Sequence, residues 1–127
     1  MVDHEAYQTE LRERAVRQKA LDVIVSTALS RVLDQVASRQ PSIHSHHFYG
    51  ASAINPNKLA TWYVFRADAD LQWAVDTQFT SEIDHLTRSE LLTAGYPIQG
   101  VPFVHVSFTS HEDVQRTTGG NYGLYFK

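Results

Sequence analysis

Residues 101–127 decide the fold, and they read Val101-Pro-Phe-Val-His-Val-Ser-Phe-Thr-Ser110, His111-Glu-Asp-Val-Gln-Arg-Thr-Thr-Gly-Gly120 and Asn121-Tyr-Gly-Leu-Tyr-Phe-Lys127. Alternating apolar and polar residues predict a strand over 101–109. Ser110, followed by two acidic residues, is typical of a helix N-cap, and the glycine pair 119–120 predicts a turn. Apolar residues alternate again after the turn, so we predict a final strand over 121–127 whose end lies inside a sheet.

Two further strands are predicted upstream of this segment. Residues 43–49 alternate in polarity, and residues 59–66 are rich in aromatic and β-branched side chains. Residues 54–58, with the sequence Ile-Asn-Pro-Asn-Lys, have the composition of a turn. We therefore expect the two strands to pair as an antiparallel hairpin.

Residues 4–39 predict one long helix or two helices in series. Apolar residues with helical spacing form a wide stripe in its second half, which we expect to pack against the sheet: Leu21, Ile24, Val25, Ala28, Leu29, Val32, Leu33 and Val36. The front half carries mixed charge over residues 10–19, which is typical of a solvated helix face and not of a nucleic-acid patch. It is expected to project from the domain, to pair with another subunit, or to fray. Pro41 ends the helix.

The middle of the chain predicts further helices. One begins at Asp68 or Asp70, and a short helical turn restarts at Thr80 or Ser81. Thr87-Arg-Ser-Glu90 has the spacing of a capping box, which predicts another helix start there. Gly95 is the expected residue after its end.

The predicted order of elements is α, β, β, α, α, β, α, β. It indicates an α+β domain with two layers, in which helices cover one face of a small, mainly antiparallel four-stranded sheet. We expect a single domain over 1–127, with a helical N-terminal segment over 1–40 and the sheet with its covering helices over 42–127.

Composition limits the classes of function. The chain has 127 residues, 43% of them hydrophobic, and a formal net charge of -3. This charge gives no bulk electrostatic reason to bind nucleic acid or an anionic membrane. Cysteine is absent, which excludes disulfides, thiolate catalysis and cysteine-based metal sites. No apolar run is long enough for a membrane span, and the N-terminus has no signal-peptide core, so a cytoplasmic location is the expectation.

Histidines are the first candidate site. His44 and His46 are two residues apart on a predicted strand, so both side chains would leave the same face, with a spacing suited to two ligands of one zinc ion. His105, on another strand, would supply a third ligand. The alternative, which we favour, is that these histidines lie solvated or hydrogen-bonded at the surface of the sheet, and that the protein binds no cofactor.

The segment His105-Val-Ser-Phe108 resembles one half of the signature of the two-histidine phosphoesterases. The resemblance implies one histidine as base, a second as acid and hydroxyl groups that hold phosphate. A second motif is missing, because residues 44–47 depart from the pattern and residues 85–88 are predicted to be helical. A small hydrolase that uses His44, His46 and His105, with or without zinc, is thus an alternative function.

Asp68 and Asp70 are a further candidate, because paired carboxylates after a strand can hold magnesium. Acidic residues are also favoured at helix N-termini through capping and the helix dipole, and we prefer this interpretation.

Aromatic residues on the predicted strands suggest a binding surface. If Tyr63 faces the helices, alternation turns Trp62 to the other face of the sheet, where a partner or a second copy would cover it. We predict contact residues among the aromatic or polar-tipped strand positions His46, Trp62, Tyr63, His105 and Tyr125. The alternative is that the charged front half of the first helix folds over this face.

Residues 54–127 resemble small uncharacterised bacterial proteins, some of which are immunity proteins of contact-dependent and polymorphic toxin systems. The resemblance is carried by Trp62-Tyr-Val-Phe65, by Ser110-His-Glu-Asp-Val114 and by Gly120-Asn-Tyr122 with Tyr125-Phe-Lys127. It implies a non-enzymatic protein that binds one toxin and blocks it. We also expect a homodimer formed through the long helix or the open face of the sheet.

Overall fold

A computed structural model describes residues 3–52 and 55–127. Within these residues there are three strands and five α-helices, in the order α1 (His4–Val36), β1 (Ile43–Tyr49), β2 (Ala60–Phe65), α2 (Asp68–Asp76), α3 (Phe79–Ala94), β3 (His105–Ser110), α4 (His111–Thr118) and α5 (Tyr122–Tyr125). Short 3-10 helices occur at Pro56–Lys58 and Ile98–Phe103. Of the predicted turn over 54–58, Ile54 lies outside the described residues.

The sheet has three strands in the order β1-β2-β3, and it is mixed. The predicted hairpin is confirmed, because β1 and β2 pair antiparallel with His46 opposite Tyr63. In contrast, β2 and β3 run parallel, with Ala60 opposite His105. Parallel strands need a long crossover, and α2 and α3 supply it. The prediction of a mainly antiparallel four-stranded sheet is therefore wrong.

The missing fourth strand is a helix. Residues predicted to form a strand over 121–127 instead form α5, and the Oδ1 atom of Asn121 caps it by accepting from the Leu124 backbone N–H at 2.9 Å. Alternation over so few residues is also compatible with helical spacing, because Tyr122, Tyr125 and Phe126 fall on one side of a helical turn. The N-cap hydrogen bond of Asn121 stabilises the helical turn and so favours a helix over a strand.

Helices cover both faces of the sheet. The inner face carries Tyr63 and Phe65 of β2 with Phe108 of β3, and it packs against α1 and α3 in the main core. The outer face carries Trp62, whose ring lies 5.0 Å from that of Phe126, just after α5. The expected two-layer arrangement with an open face is thus replaced by a sheet between two helical covers.

Residues 79–94 form one helix, α3, where the sequence predicted a short helical turn from Thr80 or Ser81 and a separate helix start at Thr87. α3 runs unbroken through Thr87, so the predicted capping box does not start a helix. The Thr87 hydroxyl lies 2.7 Å from both the Ile83 carbonyl oxygen and the Tyr63 hydroxyl, and it is fully buried. Gly95 ends the helix with a left-handed φ of 99°, as predicted.

The strand predicted over 101–109 begins later than expected. Its first residues belong to the 3-10 helix Ile98–Phe103, and pairing with β2 starts at His105. Ser110 then caps α4, as predicted, by accepting from the Asp113 backbone N–H at 3.0 Å.

The first helix is continuous and about 50 Å long. Its first buried residue is Leu21, and burial continues with helical spacing to Val36. Every residue from His4 to Arg17 is exposed, and we call this segment the arm. The domain begins to hold the helix at Gln18, whose side-chain amide donates to the Ala51 carbonyl oxygen at 2.8 Å. In the described ranges, no helix combines the length and the apolar character needed to cross a bilayer.

Candidate functional site

The predicted binding surface is not assembled as one patch. Tyr63 is fully buried in the main core, so it is not available for contact with a partner. Trp62 and Tyr125 lie together on the outer side of the sheet, with ring centroids 6.4 Å apart, where α5 covers the sheet. His46 is opposite Tyr63 and belongs to the inner side, and exposed His105 begins β3. The structure therefore distributes these five residues over two faces.

The histidines proposed as zinc ligands are also separated. A β-bulge between Ile43 and Ser45 shifts the register, so the two-residue spacing no longer places His44 and His46 on one face. His44 reaches His111 of α4, on the outer side, whereas His46 belongs to the inner side. Among residues 3–52 and 55–127, no three histidine, aspartate or glutamate side chains are grouped so that they could hold a metal ion.

The phosphoesterase-like segment contributes one histidine and one hydroxyl. By strand alternation, His105 and Ser107 belong to the same side of β3 as Thr109, which contacts α5. The segment 85–88 that could have served as a second motif lies inside α3, as predicted.

A different histidine cluster lies on the outer side of the sheet. His111 of α4 contacts His44, with ring centroids 4.7 Å apart, and its Nδ1 atom is 2.5 Å from the hydroxyl oxygen of Tyr122. The Tyr122 ring stacks on His47 at 4.8 Å. The Nε2 atom of His47 in turn lies 3.2 Å from the Ser45 hydroxyl oxygen. These contacts join β1 to both C-terminal helices, so the cluster helps to fasten the outer cover.

The sequence offered only a weak signal for this cluster. His111 and Tyr122 are far from β1 along the chain, and only the conversion of the last segment into α5 brings them to His47. A correct prediction of the asparagine cap at Asn121 would have suggested it.

Burial and neighbouring charge disfavour protonation of the histidines in β1. Desolvation lowers the pKa of His44, with a further contribution from His111 and Arg66. Desolvation also lowers the pKa of His46, and it lowers the pKa of His47 together with the charge of His46. The folded state therefore prefers these imidazoles neutral.

Stability is expected to fall as the pH falls through 6.5. The unfolded chain takes up protons near the ordinary histidine pKa of about 6.5, whereas the folded chain resists this uptake, so acid favours unfolding. The free energy of unfolding from urea titrations should be constant above about pH 7.5 and should decrease towards pH 5.5. His47→Gln should flatten this slope more than His85→Gln, which changes an exposed histidine of α3. Equal slopes in all three proteins would contradict the assignment.

A polar network joins the carboxyl ends of the two parallel strands. The Asp68 carboxylate accepts from the Ser110 hydroxyl at 2.5 Å and from the Arg116 guanidinium at 3.0 Å. Arg116 also donates to Asp113, which accepts a hydrogen bond from the Tyr125 hydroxyl. Ala67 is the N-cap residue of α2, so Asp68 lies in its first turn and does not cap it.

The same network bears on magnesium binding. The Arg116 hydrogen bond is the main cause of the lowered pKa of Asp68, and the Tyr125 hydroxyl is the main cause of the lowered pKa of Asp113. Arg116 thus occupies the position where a cation would neutralise Asp68. The hydrogen bonds of the network link α2, α4 and α5 to one another.

The arm is not covered by the rest of the described structure. Tyr7 is 52% exposed and Leu11 is 40% exposed, and they are four residues apart on one side of the helix. The same side continues through Arg14 and Gln18 to Leu21, where the buried stripe of α1 begins. On this side the apolar residues therefore form two groups, the exposed pair Tyr7 and Leu11 in the arm and the buried stripe from Leu21, with Arg14 and Gln18 between them.

Comparison with protein-family models, with curated proteins and with solved structures finds no match for this chain.

Proposed function

We propose that this protein is a protein-binding domain whose docking element is the arm. The observation that carries the proposal is that every residue from His4 to Arg17 is exposed, including the apolar pair Tyr7 and Leu11, in a helix whose second half is packed in the core. The sheet domain then serves as the anchor that fixes the direction of the arm.

The physics of isolated helices supports this function. A helical segment of this length without tertiary contacts is marginal in water, because most helical stability in proteins comes from packing of the apolar side. The arm has few internal supports: Asp3 caps it, and Glu10 pairs with Arg14 at 2.8 Å. A partner that covers Tyr7 and Leu11 would supply the missing packing.

Coverage of the outer face of the sheet also favours the arm, rather than that face, as the docking site. The aromatic face that the sequence suggested as a docking surface is occupied by the protein's own α4 and α5. Docking there would require displacement of α5 and loss of the hydrogen bond from Tyr125 to Asp113. Docking on the arm requires no such rearrangement.

Site-specific photo-crosslinking tests the proposal. A benzophenone amino acid replaces Leu11 in the arm, and in a control variant it replaces Val75, which is 51% exposed on α2. After expression in the native host and irradiation, position 11 should give adducts of discrete mass that position 75 does not give. Position 11 giving no more adducts than position 75 would exclude the arm as the docking element.

A second candidate function is that of an immunity-like inhibitor, located in the cytoplasm, whose partner is a toxin. It is supported by the resemblance of residues 54–127 to such proteins. Mass spectrometry of the adducts identifies the partner and so tests it, because a toxin requires an adduct with a different polypeptide.

A further inference from the structure

We propose that the partner of the arm is a second copy of this chain, bound with the two arms antiparallel. This inference rests on the proposed function and names the partner for it. It is carried by the distribution of charge and apolar residues along the exposed arm.

Charge is divided between the two halves of the arm. Residues 4–10 contain Glu5 and Glu10 and no lysine or arginine, whereas residues 11–17 contain three arginines and one glutamate. Asp3 before the arm and Lys19 after it extend the same division. An antiparallel pair places each acidic half beside the basic half of its partner, and a parallel pair would place like charges together.

The apolar residues fit the same arrangement. Tyr7 and Leu11 lie four residues apart, as two successive core positions of a heptad repeat do. When two arms cross between these positions, Tyr7 of each copy faces Leu11 of the other, and residues 4–10 lie beside residues 8–14 of the partner, which include Arg12 and Arg14. The arrangement has a two-fold axis between the arms, which is the symmetry that most homodimers use.

The sheet domain makes this pairing feasible for such short arms. Nucleation is the costly step of helix formation, and the buried half of α1 already provides a helix from which the arm extends. Pairing of the arms therefore does not need to nucleate a helix. It needs only to stabilise the extension of a helix that the domain has already nucleated. The small contact area predicts a weak dimer, at the lower end of specific interfaces.

Charge reversal tests the inference. Full-length protein is examined by sedimentation equilibrium from low micromolar to millimolar concentration, where a dimer is expected. Reversing the acidic half (Glu5→Lys with Glu10→Lys) or the basic half (Arg12→Glu with Arg14→Glu) should weaken dimerisation by about tenfold or more. An equimolar mixture of the two variants should recover the dimer, since one variant then has a basic arm and the other an acidic arm.

Direction is tested by disulfide crosslinking, which the absence of native cysteine allows. A mixture of Tyr7→Cys and Leu11→Cys proteins should form a mixed disulfide faster than either protein crosslinks to itself. Faster self-crosslinking of Tyr7→Cys would indicate parallel arms and overturn the proposed direction. Circular dichroism confirms that each variant retains its helical content.

The results separate this inference from the proposed function. A native protein that stays monomeric at all concentrations, or half-reversed variants that dimerise as well as the native protein, would overturn antiparallel self-pairing. If Leu11 adducts then contain a different polypeptide, the arm is still a docking element. If position 11 gives no adducts above the control, both proposals fail.

Discussion

Replacing Val64 with aspartate is expected to unfold the protein or to lower its free energy of unfolding by about 4 kcal/mol or more. Val64 is fully buried, yet it does not belong to the main core cluster. By alternation along β2 it lies on the outer side of the sheet with Trp62, under the C-terminal helices. A carboxylate there would lose its hydration.

The Val64→Asp substitution shows whether the outer face of the sheet is covered or open to solvent. If the outer face were open, as the sequence alone predicted, an aspartate at position 64 would stay in water and cost little. Val75→Asp is the matched control, because Val75 is 51% exposed and the same change there should alter stability by about 0.5 kcal/mol or less. Equal urea midpoints for the two variants would contradict the placement of α5.

Phe65→Ala is expected to cost about 3 to 5 kcal/mol. Phe65 is fully buried on the inner side of the sheet, and its ring lies 6.3 Å from Phe79 of α3 and 6.5 Å from Phe108 of β3. Truncation removes contacts to the crossover helix and to the parallel strand at once, and it leaves a cavity between them. The loss is a large part of the 5 to 15 kcal/mol that holds a typical domain together.

Phe103→Ala is the control for this second variant. Phe103 is 57% exposed at the end of the 3-10 helix, so its truncation removes little buried area. Thermal unfolding followed by calorimetry should show a large decrease in midpoint for Phe65→Ala and almost none for Phe103→Ala. Similar midpoints would mean that Phe65 is not a central core residue.

The elements that the sequence predicted correctly are those with a long pattern or a specific cap. The helical stripe from Leu21 to Val36 has enough turns to define its period, and the β1–β2 hairpin combines alternation with turn residues. Ser110 and Gly95 mark a helix start and a helix end with side-chain and backbone chemistry that few other positions need.

The errors occurred where short patterns depend on distant packing. Residues 121–127 alternate like a strand, but a helical turn lets Tyr122, Tyr125 and Phe126 face the sheet together. Thr87 resembles a cap, but its hydroxyl is used inside α3 to bond Tyr63. The bulge after Ile43 cancels the same-face rule for His44 and His46, and it is not visible in the sequence.

The parallel pairing of β2 with β3 also constrains the order in which the chain folds. β1 and β2 join across a short connection, so the hairpin closes at little entropic cost, whereas β3 must return over the whole α2–α3 crossover before it pairs. Contacts so distant in sequence form late and slow the folding rate. Until β3 docks and α5 follows it, Trp62 remains uncovered on the early hairpin, and this exposure favours aggregation.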